Sequence, residues 1–164
     1  MREKVLISTG GSGGHVIPAI TIHDHLKEKY DTIISTDSRG LKYLEKNDYR
    51  SILIDTPKFN SLILFPFTLF KVLILTINSL KILKKEKISY LISTGGYMSL
   101  PLCLAAKILN IKIFLIEPNM VLGRANKFFL NFSKKLICYS NKLINLPSGI
   151  NKKVTTIKPL IRKE

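Results

Sequence analysis

The stretch from Val5 to Pro18, VLISTGGSGGHVIP, constrains the fold more than any other part of the chain. Val5-Leu6-Ile7-Ser8 is an apolar run of strand length, as expected for a strand buried on both faces of a parallel sheet. It stops in a turn that holds Gly10, Gly11, Ser12, Gly13, Gly14 and His15. Glycine lets a backbone bend sharply and approach a ligand with no Cβ in the way. Proline in the first helical position forfeits no hydrogen bond, so a helix is expected from Pro18. Bare amides at a helix N-terminus attract anions, which makes phosphate the first ligand to consider. His15 stands at the lip of this loop, where a general base can act. The plain alternative is a tight strand-to-helix turn without a ligand.

Further strand-length runs follow at Thr32–Ser35, Ser51–Ile54, Tyr90–Ser93, Ile111–Ile116, Lys135–Tyr139 and Val154–Ile157. Helix-length segments separate them, and that alternation signals βαβ units and a parallel sheet. The fold class expected is α/β, a Rossmann-like parallel sheet with helices on both faces. The polar turn Thr36-Asp37-Ser38-Arg39-Gly40 can cap the helix carrying Leu41 and Leu44. Tyr90–Ser93 ends in Thr94-Gly95-Gly96-Tyr97-Met98-Ser99, with a helix expected from Pro101 to Leu109. A strand, a glycine loop and a helix therefore occur twice. Both loops fall at carboxyl ends of strands, where open α/β sheets bind ligands.

Phe59–Leu83 stands apart. Leu62–Leu80 carries one charge, Lys71, and approaches the length of a membrane-spanning helix. Pro66 interrupts it, Thr68, Thr76, Asn78 and Ser79 dilute it, and Lys81, Lys84, Lys85 and Lys87 follow. A span between strands of one sheet would put those strands on opposite sides of a membrane. The reading adopted is a loop and helix that pack partly on the sheet and dip partly into an anionic bilayer surface. A fully buried core helix is the alternative.

The formal net charge of +15 calls for an anionic partner, although a bias toward Lys, Ile and Asn accounts for part of it. At 164 residues the chain suits one domain. Cys103 and Cys138 sit in apolar runs and read as buried hydrophobes; no metal spacing and no cofactor is expected. His23 and His25 point to different helix faces and read as surface residues. The charged start Met1–Lys4 precedes an apolar run that breaks into glycines too soon for a signal peptide, which argues against export.

At the expected sheet edge, His15 with its loop, Gly95-Gly96-Tyr97, and Glu117 with Asn119 converge. Two glycine loops suit two phosphates, so a diphosphate is the economical ligand. An imidazole is the side chain suited to proton transfer near neutral pH, so His15 can take a proton from a hydroxyl placed over it. Glu117 and Asn119 can bond sugar hydroxyls. Glu117 can also support His15, or form a structural ion pair with a lysine. Tyr97 either stacks on a sugar or covers its loop; Arg124 either meets a phosphate or is solvated.

Gly10-Gly11-Ser12-Gly13-Gly14-His15-Val16-Ile17-Pro18 closely resembles the first glycine loop of the MurG-type transferases, with Ser12 where Thr is usual. Gly95-Gly96-Tyr97-Met98-Ser99 with Pro101 resembles the second loop. Glu117-Pro118-Asn119, followed by Gly123 and Asn126-Lys127, resembles the family's His-Glu-Gln-Asn segment, with Ile116 and Pro118 replacing His and Gln. Lys158-Pro159-Leu160-Ile161-Arg162 resembles its Asn-Pro-Val-Arg linker element.

The resemblance implies the amino-terminal half of a two-domain GT-B glycosyltransferase: residues 1–157 an acceptor-binding domain, 158–164 the start of a linker, the donor-binding domain absent. It further implies a hexosyltransferase that adds N-acetylglucosamine from UDP-N-acetylglucosamine to lipid I, with inversion, in peptidoglycan synthesis. The expected partners are a lipid-linked diphosphate sugar and an anionic membrane surface at the cytoplasmic face of a bacterial inner membrane. UDP-N-acetylglucosamine enters only through the missing domain or a partner chain, and the chain alone is expected to be inactive. In that reading His15 is the base, and Gly10, Gly11, Ser12, Gly13, Gly14, Gly95, Gly96, Tyr97, Ser99, Asn119 and Asn126 bind substrate.

Two alternatives remain. One is the membrane-associated subunit of a two-chain N-acetylglucosaminyltransferase. The other is a non-catalytic Rossmann-like module, which fits poorly: Val16 takes the last glycine's place in the dinucleotide fingerprint. Nucleic acid is not expected, because the phenylalanines sit in apolar runs rather than among basic residues.

Overall fold

The computed structural model describes residues 2–44, 49–57, 65–140 and 142–160. Its strands are β1 (Lys4–Ser8), β2 (Asp31–Thr36), β3 (Ser51–Leu53), β4 (Ile88–Ser93), β5 (Lys112–Glu117), β6 (Lys135–Cys138) and β7 (Val154–Thr156). They form one sheet in the order β3-β2-β1-β4-β5-β6-β7, each pair parallel. The helices are α1 (Gly13–Leu26), α2 (Ser38–Leu41), α3 (Phe65–Lys85), α4 (Leu100–Ile108) and α5 (Arg124–Phe129). This is the doubly wound, Rossmann-like sheet that the alternating pattern implies.

Strand residues alternate between two cores, as the pleat requires. Leu6, Ile33, Leu91, Ile113, Leu115 and Leu136 face α3, α4 and α5, where Leu83, Leu102, Ala106 and Phe129 close the larger core. Val5, Ile7 and Ile116 face the other way, where Ala19 and Ile22 of α1 cover them. Beyond α1, the sheet on that side leaves a groove of about 400 Å³ walled by Tyr30, Tyr90, Phe114 and Ile137. Leu160 packs at the edge of the same cluster; residues 161–164 of the expected linker lie outside the described residues.

Three expectations change. Helix α1 begins at Gly13 and Pro18 lies inside it, so Pro18 does not open the helix. The carbonyl that Pro18 leaves without a helical donor belongs to Gly14, which is exposed to solvent. His23 is not a surface residue: it is half-buried, its Nδ1 pairs with Thr32 Oγ1 at 2.8 Å and its ring meets Tyr49 edge-on. Burial pushes its pKa below the ordinary value, against the opposing charge of Asp24.

Helix α3 is neither broken at Pro66, its second described residue, nor fully buried. Its buried stripe is Thr68, Val72, Thr76, Ser79 and Leu83, while Phe67, Phe70, Leu73 and Ile77 are more than half exposed. Residues 58–64, where the apolar stretch begins, lie outside the described residues.

Cys103 and Cys138 are buried and unpaired, and burial pushes the Cys103 thiol up to about 12. Asp37 caps α2 as expected, accepting from the Gly40 N–H at 2.9 Å. At Gly40 a Cβ would overlap Thr36 Oγ1 and press on Val16. Gly40→Ala should therefore cost roughly 1–3 kcal/mol, the range for overpacking a closed site. A fall in the urea midpoint at unchanged slope would show it.

Candidate active site

Strand pairing places the two glycine loops together. β1 and β4 are neighbours in register, Ser8 beside Ser93. One residue further on, Thr94 donates through its N–H to the Ser8 carbonyl at 3.0 Å and through Oγ1 to Thr9 Oγ1 at 2.8 Å. The chain then turns into the loops, with Gly11, Gly95 and Gly96 at φ of +85°, +89° and +80°. Side chains other than glycine rarely adopt those values.

His15 lies in the first turn of α1 and reaches across to the second loop. Its Nδ1 donates to the Thr94 carbonyl at 2.7 Å. A carbonyl only accepts, so in the neutral imidazole the proton sits on Nδ1 and the lone pair on Nε2. The ring edge bearing Nε2 lies against Gly96, where a Cβ would stand 4.0 Å from it. Gly13 and Gly14 open the helix, and its geometry leaves their amides without intrahelical acceptors. Ser12 sits at the cap position with no side-chain bond to the helix.

Glu117 ends β5 and is 1% exposed. Its Oε1 accepts from the Asn119 N–H (3.2 Å) and Nδ2 (3.1 Å), and its Oε2 from the Gly123 N–H (2.8 Å) and Asn126 Nδ2 (3.0 Å). Glu117 thus folds the loop from β5 into α5, and it is the Thr94 carbonyl that orients His15. Asn126 also donates to the Ile116 carbonyl and packs against Gly95, where a Cβ would meet its Nδ2 at 3.1 Å. Its Oδ1 is buried without a partner among the described residues.

On the opposite flank, Asp37 at the end of β2 is 2% exposed and accepts from the Gly11 N–H (2.9 Å) and Arg39 Nε (2.8 Å) as well as from Gly40. Burial alone would raise its pKa. The two amides and the guanidinium outweigh that and hold the carboxyl below its ordinary value. Arg39 Nη2 donates in turn to Tyr97 Oη in the second loop.

Between these groups opens a cleft of about 570 Å³. His15, Gly96, Tyr97, Glu117, Asn119 and Arg124 line it, with Leu100, Ala125 and Phe128 as an apolar wall. Among the described residues no cluster of three His, Cys, Asp or Glu side chains could hold a metal ion. The cleft offers backbone amides to an anion, a base to a hydroxyl, and an apolar wall beside both.

Residues 5–138 match the glycosyltransferase family 28 N-terminal domain. The chain belongs to glycosyltransferase family 28. Over 164 residues and 99% of its length it is 49% identical to a protein of Pelagibacter ubique (strain HTCC1062). That protein is named UDP-N-acetylglucosamine--N-acetylmuramyl-(pentapeptide) pyrophosphoryl-undecaprenol N-acetylglucosamine transferase. The present chain is also 34% identical, over 98% of its length, to the protein of the same name from Rickettsia typhi (strain ATCC VR-144 / Wilmington). The chain spans 46% and 42% of these relatives. Its fold superposes on Acinetobacter baumannii MurG with a TM-score of 0.80, at 22% identity, covering 98% of this chain and 47% of that one.

Within this family 28 domain, the residues singled out in the sequence fall into three groups. His15, Gly96, Tyr97, Glu117 and Asn119 line the cleft. Gly10 to Gly14 lie at the mouth of α1, Gly10 pressed against Met98 and Asp37. Ser99 and Asn126 are buried behind the wall, Ser99 Oγ donating to the Gly96 carbonyl at 2.8 Å. Thr94 and Arg39 carry no site role in the sequence alone, and Asp37 reads there as a cap of α2 or as the acidic residue of a poorly fitting dinucleotide fingerprint. The signal for Asp37 and Arg39 was their position just past β2, the strand beside β1. For Thr94 no signal existed, because it acts through its carbonyl.

Asp37→Asn should cost about 1–3 kcal/mol at neutral pH, since an amide cannot replace a carboxylate that accepts three donors. The native pKa is lowered, so the stabilisation is full above the ordinary carboxylate range and is lost as pH falls through the native value. Denaturation at stepped pH should show the gap between wild type and variant closing below about pH 4.

Proposed function

We infer that this chain is the acceptor-binding part of an inverting N-acetylglucosaminyltransferase that converts lipid I to lipid II. The observation that carries the reading is the cleft in which His15, directly after the first glycine loop, meets Gly96 and Tyr97 of the second, in a domain of glycosyltransferase family 28. The names of the relatives point the same way.

In this reading the diphosphate of the acceptor lies against the amides of the two loops, and its sugar extends over His15. Nε2 takes the proton of the attacking hydroxyl. The oxygen so freed forms a bond to the anomeric carbon of the donor as the bond from that carbon to UDP breaks, with inversion. Donor nucleotide sugar is held by residues outside these 164. Glu117 serves by shaping the Asn119–Gly123 wall.

Helix α3 supplies the membrane contact at the cytoplasmic face. Its outer side carries Phe65, Phe67, Leu69, Phe70, Leu73, Ile74 and Ile77, each over 40% exposed, and Lys81, Lys84 and Lys85 follow on its last turns. A half-covered Phe or Leu that enters the interface contributes roughly 1 kcal/mol, about half its full burial value. Cationic side chains add attraction to anionic headgroups.

Three measurements test this. The chain should bind nanodiscs containing undecaprenyl diphosphate more tightly than matched discs without it, and should transfer no radiolabelled sugar to lipid I by itself; robust turnover would sink the acceptor-part reading. The double variant Phe67→Ser/Phe70→Ser should lose about thirtyfold in affinity for anionic vesicles, the sum of about 1 kcal/mol from each ring. Its melting temperature should stay at the wild-type value, since both side chains are more than 60% exposed.

A further inference from the structure

Between the two glycine loops, on the side of the β2 end, stands a linked pair of charges that nothing in the proposed chemistry uses. Asp37 is buried and saturated by the Gly11 amide, the Gly40 amide and Arg39 Nε. The Arg39 side chain is 43% exposed, yet it is held at two points: Nε on Asp37 and Nη2 on Tyr97 Oη at 2.5 Å. Nη2 also lies 4.0 Å from Met98 Sδ, and the guanidinium carbon stands 5.7 Å from the Tyr97 ring centre. Gly11 comes so close that a Cβ there would be 3.2 Å from Nη2. The fork is therefore seated against both loops at once.

From this arrangement we propose that Asp37 and Arg39 form a latch that sets the spacing of the two glycine loops, making both positioning residues for the acceptor site. Resting on the acceptor-site reading above, the proposal names the side chains that hold its two halves in register. The chain of contacts has a direction. Asp37 fixes Gly11 in its left-handed turn, and Arg39 carries that reference across to Tyr97. Tyr97 follows directly on Gly96, the residue against which the His15 ring rests. A guanidinium suits the task because its donors lie in one rigid plane, so two acceptors fix its position and its tilt. A lysine ammonium keeps the charge but is a single point on a flexible stem, and it cannot span both acceptors in that geometry.

The latch is tested without ligand by amide NMR of the 164-residue chain. Tyr97→Phe removes only the phenolic oxygen in the second loop, and it should move the Gly11 amide resonance in the first. Arg39→Met should move Gly11, Gly95 and Gly96 together, and Arg39→Lys should behave like Arg39→Met. An unmoved Gly11 amide in Tyr97→Phe overturns the proposal. So does a wild-type pattern in Arg39→Lys, which would reduce Arg39 to a charge. Binding to undecaprenyl diphosphate in nanodiscs gives the second readout. Arg39→Met and Tyr97→Phe should each lose roughly tenfold, the scale of one hydrogen bond to a charged group. The double variant should lose no more than the worse single, whereas losses that multiply would also overturn the latch. If the wild type fails to bind while the amide results hold, the acceptor reading falls and the latch stands.

Discussion

The pairing of β1 with β4 is the constraint on which the site depends. A parallel sheet that starts in its middle and winds outward in both directions leaves one place where successive crossovers part to opposite faces, and here it lies between these two strands. Their loops cannot interfere with each other through covering helices, because α1 leaves on one face and α4 on the other. The Ser8–Ser93 register then brings Thr9 and Thr94 side by side, and the Thr94 carbonyl meets His15. A slip of one residue would turn Thr94 away and reverse every core residue of β4, so the apolar pattern of the strand guards the geometry of the site.

Around that junction, two buried carboxylates do similar work on either side. Asp37 directly follows β2 and Glu117 ends β5; both are almost fully buried and take their donors from backbone amides and neighbouring polar side chains. An ionised carboxylate moved out of water without partners is very costly, but one accepting several short bonds is stable and fixes the amides it holds. In both cases one of the amides belongs to a loop glycine, Gly11 or Gly123, which has no side chain to hold it in place. The flexibility that lets these loops come close to a ligand is thus restrained from behind by charge. This also explains why Glu117 is poorly suited to assist His15 directly: its acceptor positions are already committed.

Much of this was legible in the sequence. The alternation of apolar runs with helix-length segments specified the parallel sheet, because strands buried on both faces must be apolar throughout. The glycine loops were visible because few other structures need four glycines in five residues. The start of α1 was not, since proline marks helix starts only statistically, and a helix whose first turn is largely glycine tolerates proline further in. The Thr94–His15 bond was invisible because backbone carbonyls leave no residue-type signature. Asp37–Arg39 was hidden in a turn whose composition also fits plain helix capping, and only the sheet order shows that this turn abuts the first glycine loop.

Helix α3 shows what composition hides and geometry reveals. A helix packing on a soluble core ordinarily buries its large apolar side chains and exposes its small polar ones. Here Thr68, Thr76 and Ser79 are buried while Phe67, Phe70 and Leu73 face outward. Thr76 meets its burial by donating to the Val72 carbonyl at 2.8 Å, an internal bond that needs no partner from the core. Small residues inside let α3 lie close to α4, and the cost is a row of phenylalanines and leucines left in water, where each is unfavourable. Sequence placement of that row is not forced by the fold, since interchanging the two stripes would bury more apolar surface. An outward apolar row beside a lysine-rich last turn matches the membrane contact proposed for α3, and the sheet gains nothing from it.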